Sequence, residues 1–127
     1  MKNVEVAQLL YDIADLLELK GEIVFKVSAY RRAAQSIEAL SKPVEEFAKA
    51  DRLDDIPGVG AGIAEKIMEF LEKGRSEYYE NMKKKMPMDV ESLMKIEGMG
   101  PKKIKALYDR LKIKTVKDLE EAAKAGK

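Results

Sequence analysis

Two Gly-apolar-Gly triplets, Gly58-Val59-Gly60 and Gly98-Met99-Gly100, are the groups best placed to do chemistry here, and that chemistry is the holding of anions. An apolar pair at i, i+3 precedes each in the same register, Leu53 and Ile56 in one copy and Leu93 and Ile96 in the other. A new helical run follows each. Glycine permits a tight turn with positive φ and carries no Cβ, so an anion can reach backbone N–H groups at the positive end of the next helix. The residue between the glycines, Val59 or Met99, is expected to point inward and anchor the turn.

Side-chain chemistry is narrowed by what is missing. The 127 residues include no histidine and no cysteine. Imidazole bases, disulfides and thiolate or histidine zinc sites are therefore excluded. Lysine, carboxylate, tyrosine and hydroxyl groups remain.

The net charge is only +1, but it is unevenly spread. Residues 1–57 carry eight basic and eleven acidic side chains, a net of −3, whereas residues 95–117 carry eight basic and two acidic, a net of +6. Lys102, Lys103 and Lys105 crowd the second triplet, while Asp54 and Asp55 precede the first. A positive field around a phosphate-binding turn points to a polyanion; a solvated lysine-rich surface is the plainer reading of the charge alone.

The elements that must position these turns are all helical. Val6, Leu9, Leu10, Ile13, Leu16 and Leu17 follow the helical period, with Asn3 a candidate cap and Gly21 an end. A second helix is expected over Lys26–Leu40 with Tyr30, Ala33, Ile37 and Leu40 inward, and a short third one with Pro43 in its first turn. Ala61–Lys73 carries Ile63, Ile67, Phe70 and Leu71 on one stripe, closed by Gly74. Helices at Ser76–Lys85, from Asp89, at Pro101–Leu111 and near Val116–Ala125 complete the chain, the last capped by Thr115. Met86-Pro87-Met88 divides it into units of residues 1–85 and 86–127. The expected fold is all-α, with one hairpin in each unit (53–73 and 93–111). The seven methionines are scattered and read as core filler.

With 37% charged and 46% apolar residues the chain reads as soluble and ordered. No apolar run approaches the roughly 20 residues that span a bilayer, and no signal-peptide pattern is present. A cytoplasmic monomer is expected, nucleoid-associated in a prokaryote.

The frame apolar-x-x-apolar-x-Gly-apolar-Gly-x-x-x-apolar-x-x-apolar closes at Ala64 and Ile67, and again at Ile104 and Leu107. It resembles the helix-hairpin-helix motif, which holds DNA backbone phosphates without reading sequence. Phe25-Lys26-Val27-Ser28-Ala29-Tyr30-Arg31-Arg32-Ala33-Ala34, then Ile56 to Ile67, Gly98 to Lys103 and Ile113 to Leu119, extend the likeness. Together they resemble the N-terminal part of family X DNA polymerases, the polymerase beta-like family, in its prokaryotic branch.

That resemblance implies a lyase-type unit gripping the 5′-phosphate side of a DNA gap or nick, and a second unit on the duplex. It implies DNA contacts at Lys26, Tyr30, Arg31, Arg32, Gly58, Val59, Gly60, Gly98, Met99, Gly100, Lys102, Lys103 and Lys105. It also implies a sodium or potassium ion at the backbone of Gly58, Gly60, Gly98 and Gly100. Divalent metals would belong to a later palm domain, since no Asp-x-Asp occurs here. The family's lyase lysine aligns with Lys66, whose amine would form a Schiff base with the aldehyde of a 5′-deoxyribose phosphate. On a helical wheel Lys66 lies about 60° from Ile63, bordering the apolar stripe, where partial desolvation favours free amine. The alternative is a lysine that snorkels or pairs with Glu65 or Glu69.

Two readings also stay open for Tyr30, a sugar contact or a core tyrosine, and for Arg31 and Arg32, phosphate contacts or a solvated face. Phe25, Gly62 and Tyr78 depart from the family's pattern, where polymerase beta has a histidine, a phosphate-binding lysine and another basic residue. These departures count against the lyase more than against DNA binding. The competing functions are a non-catalytic helix-hairpin-helix DNA-binding module and a helical protein-interaction domain.

Overall fold

The apolar period of the first twenty residues winds into α1 (Asn3–Lys20), and α2 (Val24–Glu38) folds back along it. Their contact is the most extensive between any two elements. Val6, Leu10, Ile13, Leu17, Ala33, Ala34 and Ile37 are fully buried there. Each large aliphatic among them contributes about 1.5–3 kcal/mol relative to exposure. This computed structural model describes residues 2–126; among them are eight α-helices, one 3-10 turn and no strand.

Asn3 differs from expectation. It occupies the first helical position instead of capping α1, whose N-cap is Lys2 with no side-chain bond. Its amide, 3% exposed, donates to the Lys42 carbonyl at 2.9 Å and accepts from the Val44 N–H at 2.7 Å. One asparagine thus meets a donor and an acceptor at the start of α3 (Val44–Lys49). Pro43 is the N-cap of that helix and lies just outside its first turn.

The run into the first hairpin is a 3-10 turn, Leu53–Asp55, too short for an α-helix. Leu53, Ile56 and Val59 are buried and pin it to the core. After it come α4 (Ala61–Lys73) and α5 (Glu77–Lys84), then α6 (Val90–Met94), α7 (Pro101–Leu111) and α8 (Val116–Lys124). Thr115 caps α8 as expected, accepting from the Asp118 N–H at 3.1 Å.

The second hairpin is tied down differently. The Asp89 N–H donates to the Lys114 carbonyl at 2.6 Å, bringing the segment after α7 back to the start of α6. Leu93, Ile104 and Ile113 are buried beneath it, and α7 packs against α1. Lys83 spans α5 and α6 through Glu80 at 3.4 Å and Glu91 at 3.6 Å, across the Met86–Met88 segment. No helix among the described residues is long and apolar enough to cross a membrane.

Candidate nucleic-acid interface

The two hairpins share one backbone design. Gly58 and Gly98 lead with φ of +84° and +77°, a left-handed turn that disfavours any side chain. The Val59 N–H then bonds the Ile56 carbonyl, and the Met99 N–H the Ile96 carbonyl, both at 3.0 Å. Gly60 and Gly100 follow in ordinary extended conformations as the N-caps of α4 and α7. A Cβ at either would meet nothing within 4 Å. Neither conformation nor internal packing calls for glycine there; what glycine leaves is bare backbone facing outward.

That bareness sets α4 and α7 apart from α5, α6 and α8. The latter are capped by Ser76, Asp89 and Thr115 and carry carboxylates in their first turns. α4 and α7 have no side-chain cap and no first-turn acid. The N–H groups of Ala61, Gly62 and Ile63, and of Lys102 and Lys103, have no acceptor among the described residues. They converge at the positive ends of two helices, the arrangement that suits an oxyanion. The start of α2 shares both traits.

Carbonyl pairing divides the four glycines. The Gly60 and Gly100 carbonyls accept the first helical bonds, from Ala64 at 2.9 Å and Ile104 at 3.1 Å. The Gly58 and Gly98 carbonyls accept none among the described residues, so they are the better donors for a monovalent ion.

Side chains around the turns differ from the linear charge pattern. Arg32 lays its stem over the first hairpin, its Cγ 3.2 Å from where a Gly58 Cβ would stand. Asp55 is held by Arg52 at 2.6 Å, which offsets part of the acid beside that turn. Arg31 points elsewhere: its guanidinium bridges Asp15 and Glu18 of α1, each at 3.2 Å. At the second hairpin the Lys103 amine comes 4.0 Å from the Gly98 Cβ position, and Lys102 beside it is exposed. The Lys105 amine lies instead 3.5 Å from the Gly21 Cβ position, at the end of α1.

Lys66 emerges from α4 half-buried. Its amine donates to the Gly62 carbonyl at 3.4 Å and sits 4.4 Å from the centre of the Tyr78 ring. No carboxylate pairs with it among the described residues; Glu69 is engaged by Lys73 and the Glu77 N–H. The amine borders a cleft of about 420 Å³ that also includes Glu65, Glu72 and Tyr78. Tyr30 is a core residue, 6% exposed, and its phenol is pushed well above the usual range by burial and then by Tyr78. Tyr78, supplied by α5, therefore neighbours both Lys66 and Tyr30. At the start of α2, Ile23, Val24 and Phe25 are 68%, 79% and 80% exposed, with Lys26 exposed beside them.

With two such hairpins, each launching an uncapped helix, the chain belongs to the helix-hairpin-helix domain family, which residues 1–76 match. Residues 90–125 match a second family, the SAM-like helix-hairpin-helix tandem. The chain is 35% identical over its whole length to the DNA polymerase/3'-5' exonuclease PolX of Bacillus subtilis (strain 168), covering 22% of that protein. It is 28% identical over 106 residues, 84% of its length, to DNA polymerase lambda of Rattus norvegicus, covering 18% of it. The likeness to family X DNA polymerases thus runs through the whole chain, which spans about a fifth of these relatives' length.

Proposed function

We propose that the chain binds gapped or nicked duplex DNA without sequence preference, as the N-terminal part of a family X repair polymerase. The observation that carries this reading is the pair of bare glycine N-caps, free of side-chain caps and first-turn acid. Each offers backbone donors to one phosphate, and phosphate contacts fix position without reading bases. Exposed Phe25, beside Lys26, offers a platform on which an unpaired base can stack. A sodium or potassium ion at the Gly58 and Gly98 carbonyls would bridge hairpin and phosphate. The protein acts as a cytoplasmic monomer, on the nucleoid in a prokaryote.

Titration of a labelled gapped duplex, with and without a 5′-phosphate, at two salt concentrations tests this. Affinity should fall steeply with salt, because each neutralised phosphate releases counterions. Salt-insensitive or absent binding would remove the reading.

Within it, Lys66 acts as a lyase nucleophile. Its amine adds to the C1′ aldehyde of a 5′-deoxyribose phosphate and loses water to give an imine. Loss of a C2′ proton then expels the C3′ oxygen with its phosphate, leaving a 5′-phosphate end, and hydrolysis frees the lysine. The lack of an ion-pair partner among the described residues and the cleft beside Tyr78 support this role. Borohydride should trap a covalent adduct on the unaltered chain and none on Lys66→Ala; equal trapping by both would move the chemistry to another lysine.

A further inference from the structure

A second surface of the molecule has none of the hairpins' properties. Between α1, the end of α4 and α5 lies a groove of about 460 Å³. Leu9, Phe70 and Tyr79 form its apolar part, and Val4 stands 75% exposed at its edge. Val4, Gln8 and Asp12 follow one another at i, i+4, i+8, a ridge of the kind that seats against a second helix. The groove takes Phe70 from the far end of α4 but shares no residue with either glycine turn, with α2 or with the cleft beside Lys66.

Its walls are acidic. Glu5 and Asp12 have no ion-pair partner among the described residues, and Glu80 shares Lys83 with Glu91. The lining cation, Arg75, reaches Glu77, 4.0 Å away. Burial pushes the Asp12 carboxyl upward on balance, opposed by the Gln8 amide, which donates to it at 2.9 Å, helped by Asp15 and opposed again by Lys83. Burial, then Asp12, Glu80, Glu91 and Asp15, push the Tyr79 phenol up to about 12. Lys83, over the Tyr79 ring and paired with Glu80, offsets part of this negative charge. The remainder is held against an apolar floor at a cost that a cation delivered from outside relieves.

We propose that this groove docks a cationic amphipathic helix of a partner protein. Apolar side chains of the partner at i, i+3, i+4 and i+7 lie along the floor, and flanking lysines or arginines face Glu5, Asp12 and Glu80. DNA is excluded by the sign of the walls. The two surfaces can therefore be occupied together, nucleic acid on the hairpins and a protein on the opposite charge.

The test uses two short synthetic helices with one leucine stripe, flanked by lysine and arginine in one and by glutamate in the other. Each is titrated into the isotope-labelled chain while amide shifts are followed. The basic helix should shift residues in the first half of α1, the end of α4 and α5, and bind about tenfold or more tightly than the acidic one. Val4→Lys, at an exposed position, should weaken the basic helix about tenfold and leave gapped-duplex affinity unchanged. Equal binding of both helices, shifts spread elsewhere, indifference to Val4→Lys, or displacement by the gapped duplex would each overturn the proposal. So would concentration-dependent shifts of the same residues without peptide, which would make a second copy of the chain the occupant. Loss of DNA binding by the unaltered chain, with helix binding intact, would sink the DNA reading and leave this one standing.

Discussion

The two hairpins have nearly the same backbone and unlike surroundings. Their leading glycines differ by only 7° in φ, and their turn bonds are both 3.0 Å. Yet Val59 is 4% exposed and Ile56 2%, whereas Met99 and Ile96 are only half-buried. Gly58 presses against α2, with the Ala33 nitrogen 3.4 Å from its Cβ position; Gly98 has only a lysine tip nearby. The backbone sets where donors point, and the neighbours set how firmly and in what field. The first hairpin is part of the core; the second is a charged outpost.

The largest expected separation is in charge. Lys102→Glu with Lys103→Glu should weaken gapped-duplex binding roughly 50-fold or more at about 0.1 M salt, for all sequences alike, and flatten the salt slope by about two units. Arg32→Ala at the first hairpin should cost roughly tenfold or less and flatten the slope by about one unit. Equal losses would mean that the second hairpin has no privileged place.

A smaller effect should follow from the bare caps. Gly60→Ala and Gly100→Ala should each lower affinity several-fold while moving the melting temperature little, since a Cβ meets nothing within 4 Å at either site. Gly58→Ala should instead destabilise the fold by about 1–2 kcal/mol, because its φ is positive. Thermal melts beside binding curves separate the two kinds of glycine.

The smallest contrast is in packing. Val59→Ala should cost about 1–2 kcal/mol of unfolding free energy, and Met99→Ala less, since Met99 leaves part of its surface in water already. Chemical denaturation measures both. A larger loss at Met99 would contradict the view of the second hairpin as the looser one.

The features carried by local pattern were legible in the sequence. The stripe from Val6 to Leu17, the glycine spacing and the Thr115 cap each depend on residues a few positions apart, and helix geometry relates them directly. What stayed hidden depends on distant partners. Asn3 looks like a cap by position, but its amide serves a segment about forty residues away. Asp54 and Asp55 made the first hairpin look acidic, because linear counting omits Arg32, which α2 delivers from twenty-six residues upstream of Gly58. Tyr78 was identified as a departure from a family pattern; its ring against the Lys66 amine is a tertiary contact between α4 and α5. Phe25 was identified as a departure from the family pattern, but the exposure of the whole Ile23-Val24-Phe25 run went unread because apolar residues at a helix start look like core.

The Asn3 link also bears on the order in which the chain can fold. Its partners at Lys42 and Val44 enter the chain only after α1 and α2 are complete. α1 and α2 can collapse on each other first, since their contacts close a short loop at low entropic cost. Asn3 must wait in water until the start of α3 arrives. Its two hydrogen bonds then act as a latch that registers completion of the first unit, so Asn3→Ala should speed unfolding more than it slows refolding.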